Sequence, residues 1–229
     1  MRGCWHRKVC WPILSAIMER QVTGEMTNDN DIYYTIEKTS VAEFKDRGSR
    51  FIAYACPVKD MAEFKDRLNE IRKEHPKATH HCFAYRIGLA GNIFRVSDDG
   101  EPSGTAGRPI LGQIDSKGLV NVLVVVVRYF GGTLLGVPGL INAYKSAASL
   151  ALQMTPLVQK QVEEEYRVQF DYTQINDLMM LVRQYNCRVV RQDMQLFCNM
   201  TLAIPRNRVS EVRYKLQEMR NIEISPDLA

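Results

Sequence analysis

The chain of 229 residues is long enough for one large or two modest domains. With 45% hydrophobic and 24% charged residues, its composition is that of a globular protein and argues against collagen-like, disordered and membrane classes. The formal net charge is +4, and the excess lies in residues 50–155, with thirteen Lys or Arg against nine Asp or Glu. This small bias permits an anionic partner without requiring one.

Residues 1–29 are expected to lie outside the fold, as a disordered extension or a misassigned start. The apolar run over residues 9–18 contains Pro12 and is far shorter than a membrane span. No small-residue cleavage site follows it, so it is a poor match to a signal peptide. The six cysteines contain no Cys-x-x-Cys pair, which favours structural thiols in a reducing compartment. We therefore expect a cytoplasmic protein with no membrane partner.

The first domain is predicted over residues 30–154 as a mixture of strands and helices. Residues 108–112 are interpreted as a short connecting segment. An identical hexapeptide at residues 42–47 and 62–67 is interpreted as coincidence. Alternating or apolar runs predict strands over residues 32–37, 51–58, 81–87, 92–96 and 119–127. Helical spacing predicts helices over residues 60–74, with Asp60 as the N-cap, and 139–153.

The second domain is predicted over residues 155–229. Strands are expected over 163–171, 187–191, 194–204 and 222–224, with a turn at Gln192-Asp193, and helices over 173–185 and 209–216. This order, β-α-β-β-α-β, is that of a ferredoxin-like module. Such a module hosts many activities and does not identify one.

The first glycine-rich run, residues 97–107, begins with acidic side chains. Asp98, Asp99 and Glu101 are of the type that binds Mg²⁺, although their spacing is not that of an EF-hand. Acidic residues in an Asp-Gly turn are also common as solvated turn formers. The sequence leaves both interpretations open, and no cofactor other than Mg²⁺ is considered.

The second half of this run presents backbone N–H groups beside two hydroxyls. Ser103, Gly104 and Thr105 are predicted to form an anion-binding nest, and Arg108 is predicted to contact phosphate. The sequence that marks a phosphate-binding P-loop is absent. A tight loop that covers a sheet edge, with a surface arginine, is the alternative interpretation.

The second glycine-rich run, residues 128–139, follows an apolar strand and precedes a helix. Arg128 is predicted to contact phosphate, and Tyr129 or Phe130 to stack on an exposed base. Lys145 on the following helix is a further candidate for phosphate contact. Alternatively, the two aromatic residues are core side chains at the end of the strand. The glycines predicted to allow close approach of a ligand are Gly131, Gly132 and Gly136.

His80 and His81 are successive residues on a predicted strand, so their side chains are expected to point to opposite faces. One is expected to be buried and hydrogen-bonded, and the other to face a groove. This placement argues against a metal pair. Because no Gly-x-Ser-x-Gly elbow is present, the sequence supports no serine triad and no catalytic residue.

A series of short motifs runs in order through about residues 30–225. The motifs are Ser49-Arg-Phe-Ile-Ala53, Pro57-Val58, Ile71-Arg-Lys-Glu-His75, Ala78-Thr-His-His-Cys82, the run over 97–107 and Arg128-Tyr-Phe-Gly-Gly132. Together they resemble the YigZ/IMPACT family. Several ordered motifs are far more specific than a single glycine run. Pro138 departs from the family pattern, which more often has glycine there.

The resemblance implies an α+β fold with two domains. The domain over 30–154 would resemble domain 2 of ribosomal protein S5, and the ferredoxin-like domain over 155–229 would resemble one in elongation factor G. Eukaryotic IMPACT members regulate translation initiation through an additional RWD domain, so that role is not carried over. For members of the bacterial YigZ type, nucleic-acid or ribosome binding is proposed and no catalytic residues are established.

The function expected from the sequence is therefore an RNA- or ribosome-associated binding protein that regulates translation. Two alternatives stay open. One is a metal-assisted hydrolase or transferase that acts on a phosphorylated small molecule, with Mg²⁺ at Asp98, Asp99 and Glu101. The other is a protein-interaction module, for which neither RNA nor metal would bind.

Overall fold

The computed structural model describes residues 31–89, 91–195, 198–219 and 221–226, so the predicted extension over 1–29 lies outside the described residues. In chain order the elements are β1 (Ile32–Ile36), β2 (Ser40–Asp46), β3 (Ser49–Pro57), α1 (Met61–Glu74), β4 (His80–Ile87), β5 (Ile93–Ser97), α2 (Gly107–Ser116), β6 (Val122–Tyr129), α3 (Gly136–Gln153), β7 (Leu157–Gln161), β8 (Glu163–Phe170), α4 (Ile175–Gln184), β9 (Arg188–Met194), β10 (Cys198–Pro205), α5 (Val209–Glu218) and β11 (Glu223–Pro226). None of the described helices is long and apolar enough to span a membrane.

Five antiparallel strands form the sheet that carries both glycine loops, in the order β2-β3-β6-β4-β5. Helix α1 packs on one face, and α2 and α3 pack on the other. Strand β6 is apolar from Val122 to Val127 because the side chains of this stretch enter both cores: Val124 and Val126 face α3, whereas Leu123 and Val125 face α1. The predicted buried strand is confirmed.

The topology brings the two glycine loops to the same end of this sheet. Strands β5 and β6 both pair antiparallel with β4, so they run in the same direction. The first loop begins where β5 ends, at Ser97, and the second begins where β6 ends, at Tyr129. Residues that are about thirty positions apart in sequence therefore meet in space.

Helix α1 begins as the sequence predicts. The Asp60 carboxylate accepts the backbone N–H groups of Ala62, at 2.8 Å, and Glu63, at 2.9 Å. The apolar face, with Phe64, Leu68 and Ile71, is buried against the sheet. By contrast, the segment interpreted as a connection at 108–112 is part of α2, whose buried Ile110 and Ile114 lie four residues apart.

A second sheet has the strand order β11-β8-β10-β9, and α4 and α5 both contribute to the core on one of its faces. The elements follow in the predicted order β-α-β-β-α-β. The turn predicted at Gln192-Asp193 is wrong, because both residues lie within β9 and pair with β10. Strands β2 and β7 were not predicted, and β7 pairs with β1 in a separate two-stranded sheet.

Candidate ligand-binding cavity

Asp98 organises the first glycine loop from within. Its carboxylate accepts backbone N–H groups from Gly104 at 2.9 Å, Ala106 at 3.0 Å and Gly107 at 2.8 Å. The nest of N–H groups predicted around residues 103–105 is present, but an internal anion fills it. The prediction that it binds an external anion is therefore wrong.

The hydroxyl of Thr105 is also engaged within the loop. It donates to the carbonyl oxygen of Pro102 at 2.7 Å, and Thr105 is only 2% exposed. Ser103 is exposed. Thr105 therefore presents no free hydroxyl donor, whereas Ser103 stays accessible to solvent.

Arg108 supports the loop electrostatically and stays exposed. Burial disfavours the charged form of Asp98, but the three backbone donors and the nearby Arg108 charge outweigh that penalty, so the pKa of Asp98 is lowered. Arg108 lies in the first turn of α2 and is exposed to solvent. It remains accessible to a phosphate group.

Asp99 connects the first loop to β4. Its Oδ2 atom accepts the backbone N–H of His81 at 2.7 Å, and its Oδ1 atom lies 3.7 Å from Arg72. Its carbonyl oxygen lies 2.8 Å from Nδ1 of His80. Asp99 has a φ of +43° and Gly100 one of +91°, so this turn takes the left-handed backbone that favours Asp and Gly.

The three acidic side chains have different partners. Asp98 faces backbone donors and Asp99 faces β4, while Glu101 is buried against Arg128. Within the described ranges, no group of three His, Cys, Asp or Glu side chains is arranged to hold a metal ion. The Mg²⁺ site predicted from these three carboxylates is therefore not assembled.

Glu101 and Arg128 form a buried ion pair. Nη1 of Arg128 lies 2.5 Å from Oε1 of Glu101, and the side chains are 6% and 4% exposed. The hydroxyl of Tyr144 donates to the same oxygen at 2.7 Å. Burial, with the neighbouring Cys82 and Glu101, raises the pKa of Tyr144, so its hydroxyl stays a donor.

Arg128 is therefore not the exposed phosphate contact that the sequence predicted. Its guanidinium lies 5.4 Å from the ring centre of Phe51 and 5.6 Å from that of Phe130. Glu101 cancels its positive charge. The prediction fails because the apolar strand β6 carries Arg128 into the protein, where only a paired charge is tolerated.

Tyr129 lies on the opposite face of the sheet from this ion pair. Its hydroxyl is 2.9 Å from Nδ1 of His75, and the hydroxyl of Tyr54 is 2.6 Å from Nε2 of the same ring. Tyr129 also packs against the core under α1. It is not available to stack on a base, so of the two predicted aromatic residues only Phe130 remains a candidate.

The histidines separate as predicted. Nε2 of His81 lies 3.2 Å from the carbonyl oxygen of His75, and burial lowers the pKa of His81. His80 lines a cavity at the end of the sheet, and its Nε2 atom lies 3.8 Å from Oε1 of Glu101. The two side chains lie on opposite faces, as predicted, but neither is fully buried: His81 is 13% and His80 18% exposed, and both rings are hydrogen-bonded.

The glycines of the second loop serve the backbone of the chain itself. A Cβ atom on Gly131 would lie 1.9 Å from the carbonyl carbon of Gly48, in the turn between β2 and β3. Gly132 and Gly136 have φ values of +87° and +69°, which favour glycine. The predicted close approach therefore occurs at Gly131, but to Gly48 and not to a ligand.

A cavity of about 500 Å³ lies where the two loops meet. Phe130, Leu134 and Val137 are 48%, 83% and 51% exposed, so the wall is unusually apolar for a surface. The floor of the cavity carries the polar atoms of His80, Glu101 and Arg128, whose side chains are largely buried. The cavity is lined by Thr79, His80, Glu101, Pro102, Arg128, Phe130, Leu134, Leu135, Gly136, Val137 and Leu140.

Sequence reasoning missed most of the apolar wall. Leu134 and Leu135 lie between glycines, without the alternation of apolar and polar residues that marks a strand. Two adjacent leucines in a glycine-rich loop were the signal that could have revealed this wall. Tyr144 lies on the packed face of α3, but its bond to Glu101 carries no sequence signal. Lys145, the next residue, is exposed and does not line the cavity.

These features define a class: a mixed α/β protein with a sheet-end cavity of ligand size, an apolar wall and a neutral polar floor. Residues 47–152 match the model of the Impact N-terminal domain. The chain is 36% identical over 182 residues to the IMPACT family member YigZ of Escherichia coli, covering 79% of this chain and 88% of that protein.

A second relative, an IMPACT family member of Haemophilus influenzae, is 32% identical over 191 residues, which cover 81% of this chain and 91% of the relative. A solved structure, described as the crystal structure of a hypothetical protein, is 31% identical with a TM-score of 0.67. The match covers 86% of this chain and 97% of that one. The chain belongs to the IMPACT family, as the motif resemblance predicted.

Proposed function

We propose that this chain binds RNA or a ribosomal component in the regulation of translation, and that the cavity receives one unpaired RNA base. Unpaired bases in RNA stack on aromatic side chains and are recognised by hydrogen bonds to their edges. The observation that carries the proposal is Phe130, a half-exposed ring beside a buried polar floor. Family membership supports the connection with translation.

The cavity floor suits a base better than a phosphate group. The charges of Arg128 and Glu101 cancel, and a phosphate placed beside the Glu101 carboxylate would meet a like charge. A neutral base supplies donors and acceptors without adding charge. The apolar wall formed by Leu134 and Val137 then covers the faces of the base.

Phosphate contacts are assigned to exposed basic residues outside the cavity. Arg108 follows the first loop at the start of α2, and Lys145 follows Tyr144 on α3. Both are exposed. Arg108 is next to Gly107 at the end of the first glycine loop, and Lys145 is next to Tyr144, which bonds to Glu101 on the cavity floor. They keep the role that the sequence predicted for them.

We also propose the folds of the two domains and the location of the protein in the cell. The strand order β11-β8-β10-β9 with two helices on one face supports a ferredoxin-like domain within residues 155–229. The likeness of residues 30–154 to domain 2 of ribosomal protein S5 follows from the family resemblance. A partner in translation implies a cytoplasmic location.

No observation favours the metal-assisted enzyme. Asp98 is bonded to backbone amides and Glu101 to Arg128 and Tyr144, so a metal ion would have to break several hydrogen bonds. The protein-interaction module stays as the outcome expected if no RNA binds.

The test is fluorescence anisotropy of the protein with short single-stranded RNA over a series of KCl concentrations. We expect Phe130→Ala to weaken binding about tenfold, since stacking on one aromatic ring is worth about 1–3 kcal/mol. Arg108→Ala and Lys145→Ala should each lower the salt slope by about 0.7. Tyr129→Phe is the matched control and should bind as the unchanged protein does. Absence of RNA binding, or full binding by Phe130→Ala, would contradict the proposal.

A further inference from the structure

The floor of the cavity carries a donor and acceptor pattern that distinguishes among bases. We infer that the cavity selects guanine, recognising its Watson–Crick edge with Arg128, Glu101 and His80. This inference rests on the proposed binding of an unpaired RNA base and specifies which base it is.

Glu101 supplies an acceptor. Its Oε1 atom accepts hydrogen bonds from Arg128 and Tyr144. Its Oε2 atom has no hydrogen-bond partner among the residues that the structure describes. A carboxylate paired with a guanidinium only accepts, so the free oxygen can take an N–H or O–H donor from the ligand.

His80 supplies a second acceptor close to the first. Its Nδ1 atom lies 2.8 Å from the carbonyl oxygen of Asp99, which only accepts, so Nδ1 carries the proton. In the neutral ring Nε2 is then an acceptor. It lies 3.8 Å from Oε1 of Glu101, so the two side chains are neighbours in the lining of the cavity.

Arg128 supplies donors on the same floor. A guanidinium has five N–H groups. Nη1 donates to Glu101 and Nη2 to Ser49 at 3.5 Å, which is long for a hydrogen bond, while Nε has no acceptor among the described residues. Nη1 and Nη2 each carry a second hydrogen, and these are the donors that remain for an oxygen of the ligand.

Guanine matches this set of one donor and two acceptors. Along its Watson–Crick edge it presents the acceptor O6, the donor N1–H and the donor N2–H₂, in that order. O6 faces Arg128, N1–H faces Glu101, and the 2-amino group faces His80. Adenine and cytosine lack two neighbouring donor groups on this edge, and uracil has a single donor between two acceptors, so each leaves at least one floor group without a partner.

The apolar wall completes the site. Phe130, at 48% exposure, offers a face for stacking, and Leu134 and Val137 offer apolar surface. A cavity of about 500 Å³ accommodates a purine. The ribose and phosphates would stay in solvent, where the exposed Arg108 and Lys145 are the basic residues assigned to them.

The test compares short oligouridine RNAs that differ only in one central base. We expect guanine at that position to bind about tenfold more tightly than adenine, cytosine or uracil. Inosine, which lacks the 2-amino group, should lose about tenfold. 2-Aminopurine, which lacks O6 and has an acceptor at N1 in place of N1–H, should lose more than inosine. These comparisons use the unchanged protein, so they do not depend on how a variant folds.

Two variants assign the contacts. Glu101→Gln replaces the free acceptor by an amide and should reduce the preference for guanine over adenine about tenfold. His80→Phe keeps an aromatic ring without the Nε2 acceptor and should bind guanine and inosine equally. Tyr129→Phe, on the other face of the sheet, should keep the full preference. Circular dichroism checks that each variant is folded.

The outcomes separate this inference from the proposed function. If RNA binds with equal affinity for all four bases, the selection of guanine is wrong and RNA binding stands. If no RNA binds, both fail. If free guanosine monophosphate competes at the same concentration as the RNA, the guanine belongs to a free nucleotide, and its assignment to RNA is overturned.

Discussion

The two glycine loops begin at the same end of one sheet, but they use their backbone in opposite ways. The loop after β5 folds its N–H groups onto Asp98 and is closed. The loop after β6 packs Gly131 against Gly48 and leaves Phe130 and Leu134 exposed. Glycine-rich sequence alone therefore does not identify an anion site, because here the carboxylate of Asp98 already occupies the backbone donors.

The buried ion pair of Glu101 and Arg128 connects the two loops. Glu101 comes from the first loop and Arg128 from the end of β6, before the second. We expect Arg128→Met to lower the free energy of unfolding by about 3–5 kcal/mol, because Glu101 would be left buried without its cation. Urea denaturation measures the change. Arg95→Met, at an exposed arginine on β5, is the control, and an equal effect of both would contradict the account.

Gly131 tests whether the second loop is held by close backbone packing. Gly131→Ala should lower the free energy of unfolding by about 3 kcal/mol, since its Cβ would collide with the Gly48 backbone. Gly132→Ala is the matched control: nothing lies within 4 Å, so only its φ of +87° opposes the change, at about 1–2 kcal/mol. Equal losses in urea denaturation would show that close packing is not what requires glycine.

Asp98 tests whether the first loop is closed by its own anion. Asp98→Asn should lower the free energy of unfolding by about 2 kcal/mol at neutral pH, because one backbone donor would face an amide group. RNA affinity should not change. Nearly unchanged stability together with altered base selection would show that this loop is a ligand site after all.

The pH dependence of the unfolding free energy tests the same role of Asp98. Its pKa is lowered in the folded protein, so its stabilisation is complete above the ordinary value of 3.8 and is lost as the pH falls through the folded value. The difference in unfolding free energy between the unchanged protein and Asp98→Asn should therefore shrink on acidification. A difference that is constant from neutral to acidic pH would contradict the role assigned to the charge.

Among these substitutions, Phe130→Ala is expected to have the smallest effect on stability, but it should weaken RNA binding clearly. Because the ring is 48% exposed, Phe130→Ala should change the free energy of unfolding by less than about 1 kcal/mol while RNA affinity falls about tenfold. Thermal unfolding and anisotropy measure the two quantities. A loss of stability as large as that of Gly131→Ala would make Phe130 a core residue.

Much of the fold follows from sequence pattern, but the identical hexapeptides show the limit. Residues 42–47 lie in β2 and the turn after it, with Phe44 half-buried, whereas residues 62–67 lie in α1 with Phe64 buried. The second copy follows the Asp60 cap, and the first is paired along β3. Local propensity is the same in both, so the surroundings decide.

The sequence indicates where the candidate site lies, but not what its individual residues contact. The two glycine runs were recognised at strand ends, and the structure brings them together at the cavity. One histidine was expected to face a groove, but the sequence did not show which. Whether Arg128 faces solvent or Glu101 depends on contacts across the sheet, between β6 and a loop 27 residues earlier. Such a pairing leaves no local pattern, and neither does the bond between Tyr129 and His75.

The most direct test is a crystal structure of the protein with a short single-stranded RNA that contains one guanine. The account predicts the guanine ring against Phe130, with N1 and the 2-amino group within hydrogen-bonding distance of Glu101 and His80, and phosphates near Arg108. An empty cavity with RNA bound elsewhere, or a phosphate group against Arg128, would contradict it.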